Sequence, residues 1–156
     1  MSQTPPDHIG WTLWRAAQLW RREFTAAMVA AGHGWFGQAR GNLMVHIGPD
    51  GVRQGDLADR AGLTKQAVQQ FVDELVADGI LMRTPDKTDA RARWVRLTRG
   101  GEAAMRDADR IKTEIEASWR VAIGTQAFDR FDNALRDLIA ARAAALPPKP
   151  QGGKKD

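Results

Sequence analysis

The sequence predicts a mainly α-helical fold with one small β-hairpin. Over most of the 156-residue chain, apolar residues recur every three or four positions, which is typical of amphipathic helices. Between residues 80 and 98 they recur at every second position, which is typical of two short strands. A chain of this length buries roughly 70% of the surface that its unfolded form exposes, so it needs no metal or disulfide for stability.

The composition excludes several classes of protein. There is no cysteine, which excludes disulfides, thiolate metal sites and thiol-based redox switches. The first ten residues lack the apolar stretch of a secretory signal, and no run approaches the ~20 apolar residues that span a bilayer. We therefore expect a soluble, cytoplasmic protein with no membrane partner, no metal and no cofactor.

The first third of the chain predicts two helices. A flexible arm is expected over residues 1–9, and a long helix with its terminating glycines occupies residues 10–34. A second helix is expected over residues 35–47, although two glycines inside it each cost up to about 1 kcal/mol. The Gly-Pro-Asp-Gly sequence at residues 48–51 predicts a turn.

Two short helices then follow in close succession. The first spans residues 54–61 and ends at Gly62, and Thr64 is placed to cap the second, which runs to Asp78. The first turns of the second helix expose polar side chains, and its acidic residues come later. Glutamine can bond adenine through both ends of its amide, so this end suits the major groove. The predicted base-reading residues are Thr64, Lys65, Gln66, Gln69 and Gln70.

A cationic hairpin comes next, with strands over residues 80–84 and 91–98. Six cations and two anions lie between Arg83 and Arg99, so this segment carries the whole net charge of +4. A glutamine-rich helix or a cationic hairpin alone is usually a solvated surface. Their succession favours a winged helix-turn-helix over residues 35–101 that binds double-stranded DNA.

The chain ends with two more amphipathic helices and a tail. The helices are expected over residues 102–123 and 126–146. Residues 147–156 are rich in proline and glycine and are expected to be disordered.

The central segment resembles the MarR family (multiple-antibiotic-resistance regulators). The resemblance rests on Gln54-Gly55-Asp56-Leu57-Ala58-Asp59-Arg60-Ala61-Gly62-Leu63-Thr64, on Asp89-Ala90-Arg91 and on Leu97-Thr98-Arg99-Gly100-Gly101. The flanking helices extend it to about residues 10–146. It implies a transcriptional repressor that acts as a homodimer on a palindromic operator with half-sites ~34 Å apart.

The resemblance also implies roles for particular residues. Arg91 would contact the minor groove or its phosphates with Asp89 orienting it, while Lys87 and Arg93 would contact the DNA backbone. The alternative is an Asp89–Arg91 salt bridge with no DNA role. In relatives the first helix and the last two, here residues 102–146, pack against a partner chain. The residues expected at that contact near the C-terminus are Phe128, Phe131, Leu135, Leu138 and Ile139.

Members of the family often bind small anionic aromatic molecules between the dimer helices and the DNA-binding lobe. The resemblance therefore implies an effector of this kind. The residues expected to line its cleft are Trp11, Trp14, His33, Trp35 and His46. The alternative is that the tryptophans belong to the hydrophobic core and that the histidines have no special role.

Two other functional classes stay open. A winged helix can mediate protein–protein contact without specific DNA binding. An enzyme is the other class, but the chain has no His-Glu-x-x-His, no glycine-rich phosphate loop and no Gly-x-Ser-x-Gly. Its three histidines also lie far apart in sequence. We therefore expect a protein that is not an enzyme.

Overall fold

The computed structural model describes residues 8–86, 88–89 and 92–143. Five α-helices, two 3₁₀ helices and three short strands are formed by these residues. The α-helices are α1 (Ile9–Ala30), α2 (Gln54–Ala61), α3 (Lys65–Ala77), α4 (Arg99–Ile123) and α5 (Thr125–Ala143). The 3₁₀ helices are Gly34–Gly37 and Ala39–His46, and the strands are β1 (Val52–Arg53), β2 (Leu81–Pro85) and β3 (Arg93–Leu97). The predicted tail, and all but the last two residues of the predicted arm, lie outside the described residues.

The strands form one antiparallel sheet in the order β1-β3-β2. The hairpin predicted from the alternating pattern is present, with Leu81 opposite Leu97. The strand β1 was not predicted, because two residues are too few to show an alternating pattern. Its Val52 lies opposite Val95 of β3, and both side chains are buried. This strand holds the base of the hairpin beside the start of α2.

The helix expected over residues 35–47 is instead two 3₁₀ helices. Gln38 has an extended backbone (φ −94°, ψ 165°) and separates them. A Cβ atom on Gly41 would clash with the carbonyl oxygen of Phe36, so only glycine fits this close approach. The prediction of a continuous helix was wrong because the two glycines permit a tighter path.

Helix α4 begins earlier than expected. The helix was expected to start at residue 102, but Gly100 and Gly101 already lie in the first turn of α4. The Thr98 hydroxyl caps this helix by accepting a hydrogen bond from the Gly101 N–H at 3.1 Å. A Cβ atom on Gly101 would clash with the carbonyl oxygen of Ile80. Glycine therefore allows α4 to start directly against the beginning of the hairpin.

Two hydrophobic clusters organise the fold. The larger one belongs to the winged helix and is closed by fully buried side chains from every element, including Leu43, Leu57 and Leu75. The smaller cluster joins α1 to α4 through buried residues such as Met28 and Ile111. Phe36 packs against both clusters, with its ring 5.2 Å from that of Phe24 in an edge-to-face contact. The first 3₁₀ helix therefore connects the two hydrophobic clusters.

Among the residues that the structure describes, no helix is long and apolar enough to cross a membrane. The same residues contain no group of three or more histidine or acidic side chains that could hold a metal ion.

Candidate nucleic-acid interface

Helices α2 and α3 form the predicted helix-turn-helix. Gly62 adopts a left-handed conformation (φ +66°) that ends α2. The Thr64 hydroxyl then caps α3 by accepting from the Ala67 N–H at 3.1 Å. Val68 and Val72 are buried on the inner face of α3. The five predicted base-reading residues are all exposed on the other side: Thr64, Lys65, Gln66, Gln69 and Gln70.

Gln69 belongs to a ring of four side chains from three elements. Its amide oxygen accepts from Gln54 Nε2 at 2.5 Å, and its Nε2 donates to both carboxylate oxygens of Asp73 at 3.1 Å. Arg83 of β2 completes the ring, with Nε donating to Gln54 Oε1 at 2.9 Å and Nη2 lying 2.6 Å from Asp73 Oδ1. The hydrogen bonds from Arg83 and Gln69 lower the pKa of Asp73, so this carboxyl stays ionised. We call these residues the Gln69 ring.

Gln70 is held in a second polar cluster. Its Nε2 donates to Glu74 Oε1 at 3.1 Å. The guanidinium of Arg40, which is largely buried, lies 3.3 Å from the other oxygen of Glu74 and 3.0 Å from Asp78 Oδ2. The acidic residues on the later turns of α3 are thus neutralised by arginines from neighbouring elements, Arg40 here and Arg83 in the Gln69 ring. Their negative charge is compensated before any DNA approaches.

Asp86 organises the wing loop, although it was not predicted as a functional residue from the sequence. Its Oδ1 accepts from the Thr88 N–H at 2.8 Å, the Thr88 hydroxyl at 2.7 Å and the Asp89 N–H at 3.2 Å. Its Oδ2 accepts from Trp94 Nε1 at 2.7 Å and lies 2.8 Å from Arg53 Nη2. An aspartate that precedes a threonine by two residues is a signal for such a turn, because its carboxylate can bond the backbone N–H two residues on.

These contacts determine the charge state of Asp86. The hydrogen bonds from the Thr88 N–H and hydroxyl hold the pKa of the Asp86 carboxyl well below its usual range. The carboxylate is almost completely buried, with 4% of its side chain exposed, yet both of its oxygens have partners. A buried, ionised and fully bonded carboxylate fixes the wing loop to β1 and β3.

The recognition helix and the wing line two sides of one open cleft. Lys65 and Gln69 of α3 lie on one side, and Asp89 and Arg93 of the wing lie on the other, with Arg53 between them. The structure therefore brings together residues that were predicted separately as base readers and wing contacts. The two remaining predicted wing residues, Lys87 and Arg91, lie outside the described residues. The pairing of Asp89 with Arg91 stays a prediction.

The residues predicted to line an effector cleft occupy different places in one chain. Trp11 and Trp14 stack on each other near the start of α1, with ring centroids 4.7 Å apart. His33 follows the other end of α1, whose last residue, Ala30, lies about 24 Å along the helix axis from Trp14 at a rise of 1.5 Å per residue. Trp35 is buried in the winged-helix core, with its ring 6.3 Å from that of His33. His46 ends the second 3₁₀ helix and is half-buried.

His33 connects α1 to α4. Its Nε2 lies 2.9 Å from Asp107 Oδ2, and only 15% of its side chain is exposed. The hydrogen bond with His33 lowers the pKa of Asp107. This contact joins the turn after α1 to α4.

The predicted dimer residues of α5 differ in exposure. Phe128 is buried within the single chain, where the Arg120 guanidinium lies 4.5 Å from the centre of its ring. Leu135 is half-buried. Phe131, Leu138 and Ile139 are 40%, 48% and 60% exposed. Further large apolar side chains are exposed on α1 and at the end of α4: Ile9, Trp14, Leu19, Trp20, Val29, Val121 and Ile123.

Comparison with known proteins agrees with this architecture. Residues 43–92 match the sequence model of the MarR family. No curated protein sequence matches the chain significantly. A transcriptional regulator from Thermotoga maritima superposes with a TM-score of 0.69 at 23% identity, over 87% of this chain and 94% of that one.

Two structures of the repressor CouR are also similar. CouR from Rhodococcus jostii RHA1 bound to p-coumaroyl-CoA has a TM-score of 0.63 at 24% identity, over 95% of this chain and 99% of that one. CouR bound to a 23-mer DNA duplex has a TM-score of 0.64 at 22% identity, over 85% and 92% of the two chains. The predicted winged-helix fold is therefore confirmed, and so is the resemblance to the MarR family, which the sequence match carries over residues 43–92.

Proposed function

We propose that this chain, with its MarR-type winged helix, is a cytoplasmic transcriptional regulator that binds double-stranded DNA as a homodimer. The observation that carries the proposal is the cleft between α3 and the wing. Three cationic side chains line it, Lys65 of α3, Arg53 of β1 and Arg93 of β3, together with the carboxylates of Asp56 and Asp89. Cations on both sides of the cleft suit a phosphate backbone.

The two sides of the cleft have different tasks in this proposal. The capped end of α3 reads base edges in the major groove through Gln66 and Gln69, with Lys65 beside them. The wing contacts the backbone or the minor groove through Arg93 and through Arg91, which the sequence assigns to its tip. The wing thus supplies affinity without regard to sequence, and α3 supplies sequence preference.

The exposed apolar side chains of α1, α4 and α5 support a homodimer. Leu138 and Ile139 are about half exposed to solvent. Burying apolar surface stabilises an interface by roughly 25 cal/mol per Å². A twofold axis between two such surfaces would place the recognition helices for two half-sites ~34 Å apart on a palindromic operator. The resemblance to the MarR family and to the repressor CouR supports repression, so we propose a repressor.

An aromatic, anionic effector is part of the proposal. The similar repressor CouR binds p-coumaroyl-CoA. In this chain His33 and Asp107 join α1 to α4 beside the winged-helix core, so a ligand at this junction can change the position of α3 relative to the dimer helices. Trp11, Trp14 and His46 are the other residues to test, whereas Trp35 belongs to the core.

The proposal is tested by fluorescence anisotropy with DNA from upstream of the protein's own gene, against scrambled DNA at several salt concentrations. We expect tight binding that scrambled competitor does not displace and whose log affinity falls linearly with log salt. If binding is weak and equal for both DNAs, the next experiment selects bound fragments from the whole genome. If no fragment is preferred there, the protein–protein alternative replaces the proposal.

Two variants separate the tasks of helix and wing. Arg91→Ala should weaken binding to all sequences and reduce the salt slope by about 1. Gln69→Ala should mainly change which sequence is preferred. Arg130→Ala, an exposed arginine on α5, is the matched control and should leave both quantities unchanged. Unchanged affinity of Arg91→Ala would remove the wing from the interface.

A further inference from the structure

The Gln69 ring has a direction that its chemistry imposes. A guanidinium can only donate hydrogen bonds, and an ionised carboxylate can only accept them. Arg83 donates to Gln54 Oε1, so the Gln54 amide must turn its nitrogen toward Gln69. Gln69 then faces Gln54 with its oxygen and Asp73 with its nitrogen. The two charged residues thus determine the orientation of both amides.

This arrangement leaves Gln69 able to bind a base. An amide oxygen has two lone pairs and an amide nitrogen has two N–H groups, and the ring uses one side of each. The two contacts of Gln69 Nε2 go to the two oxygens of one carboxylate, so a single N–H can serve both. One acceptor and one donor remain on an exposed side chain, which is the pair that adenine binds in the major groove.

We infer that Gln54 and Arg83 are positioning residues that hold the Gln69 amide in one orientation, so that α3 presents a preset acceptor–donor pair to one adenine. The inference rests on the proposed DNA-binding function and deepens it by assigning the base. A free glutamine loses rotamer freedom when it binds and can also present its amide reversed. In the ring, Gln69 has lost that freedom during folding, and the reversed amide would face Asp73 with its oxygen.

The inference is tested by the base preference of variants. Binding sites are first selected from a random-sequence DNA pool with the wild-type protein. Gln69→Ala then identifies the base pair that Gln69 reads, as the position where preference disappears. Gln54→Glu keeps the shape of the side chain but places a carboxylate oxygen opposite the Gln69 oxygen. Gln54→Met has similar length and removes the hydrogen bonds altogether.

We expect both Gln54 variants to reduce the preference for adenine at that base pair about tenfold, as measured by the ratio of Kd values for adenine and the next-best base. Other positions of the site should keep their preference. Gln38→Glu is the control for added charge, since Gln38 is exposed and makes no capping bond. It should lower affinity equally for all bases and leave the ratio unchanged. Thermal unfolding verifies that each variant is folded.

Three results would overturn the inference. If the Gln54 variants keep the full adenine preference, the ring does not position Gln69. If Gln69→Ala changes no base preference, or the base is not adenine, Gln69 is not the reader that the ring implies, while the proposed function stands. If the wild-type protein selects no sequence at all, the proposed function fails and the inference fails with it.

Discussion

The winged helix and the helices proposed to form the dimer, α1, α4 and α5, differ in how far their side chains are buried or hydrogen-bonded. In the winged helix, Leu75 is fully buried, Gln69 of α3 bonds to Gln54 of α2, and Gln70 bonds to Glu74 within α3. On α5, Leu138 and Ile139 are about half exposed in the part of the chain that the structure describes. These side chains of the winged helix find their partners within one chain. A second copy of the chain would cover the apolar side chains of α5, which is why we propose the dimer.

The contrast extends to charge pairs. Near the proposed interface with DNA, ion pairs join different elements, as Arg83 joins β2 to α3 and Arg53 joins β1 to the wing loop. On α4 and α5 several pairs lie within one helix, such as Arg110 with Glu114 and Arg136 with Asp132. Pairs within a helix support that helix alone, whereas pairs between elements fix tertiary geometry. Ion pairs between elements thus fix the tertiary geometry of the winged helix, whereas the pairs named on α4 and α5 stabilise single helices.

The largest expected effect comes from placing a charged residue among the exposed apolar side chains of α5. Ile139→Asp should weaken dimerisation about 100-fold or more, because each copy in a twofold interface loses a buried isoleucine and gains an unpaired charge. Sedimentation equilibrium at micromolar concentration should show monomers, and operator affinity should fall with them. Asn133→Asp adds the same charge at another exposed α5 position and should stay dimeric. A monomeric wild-type protein, or an Ile139→Asp dimer as tight as wild type, would contradict the proposal that this face of α5 forms the dimer contact.

A truncation in the closed core should act on folding instead. Leu75→Ala should lower the free energy of unfolding by about 2–5 kcal/mol, because it leaves a cavity at a fully buried site. Urea unfolding at one protein concentration measures this change. Leu63→Ala makes the same substitution at a side chain that is 37% exposed and should have a much smaller effect. Equal losses for the two variants would mean that the core is not closed as described.

The smallest expected effect depends on pH. Because hydrogen bonds depress the pKa of Asp86, its contribution to stability is complete above the pKa of an unfolded aspartate, about 3.9. It is lost as pH falls through that value toward the lower folded pKa. Asp86→Asn should therefore be less stable than wild type at pH 6, and the difference should shrink toward pH 3. Thermal unfolding across this range measures it.

The control for this prediction is Asp59→Asn, at an exposed carboxylate on α2. It should show no comparable convergence with wild type at low pH. Asp86→Asn should also loosen the wing loop, reducing the salt slope of DNA binding by about 1 for each phosphate that the wing no longer reaches. A difference in stability that is constant from pH 6 to pH 3 would show that Asp86 does not act through its charge.

Much of the fold follows from local patterns. Apolar spacing predicted α1, α3, α4 and α5, and Gly62 with Thr64 marked the turn of the helix-turn-helix. These signals are local because a helix face and a cap each depend on residues a few positions apart. The 3₁₀ helices and the early start of α4 could not be predicted in this way. They depend on how closely Gly41 approaches Phe36 and Gly101 approaches Ile80.

The features of the candidate site can also be separated into those that the sequence predicts and those that depend on tertiary structure. The sequence by itself determined which helix is capped, which of its side chains are polar and where the positive charge is concentrated, because each is a property of neighbouring residues. Only the tertiary structure decided that Gln69 is held by Gln54 and Arg83, and that Asp86 joins Arg53 and Trp94. Those partners lie up to 33 positions away along the chain for Asp86. Hydrogen bonds act over about 3 Å in space, and separation in sequence does not predict that distance.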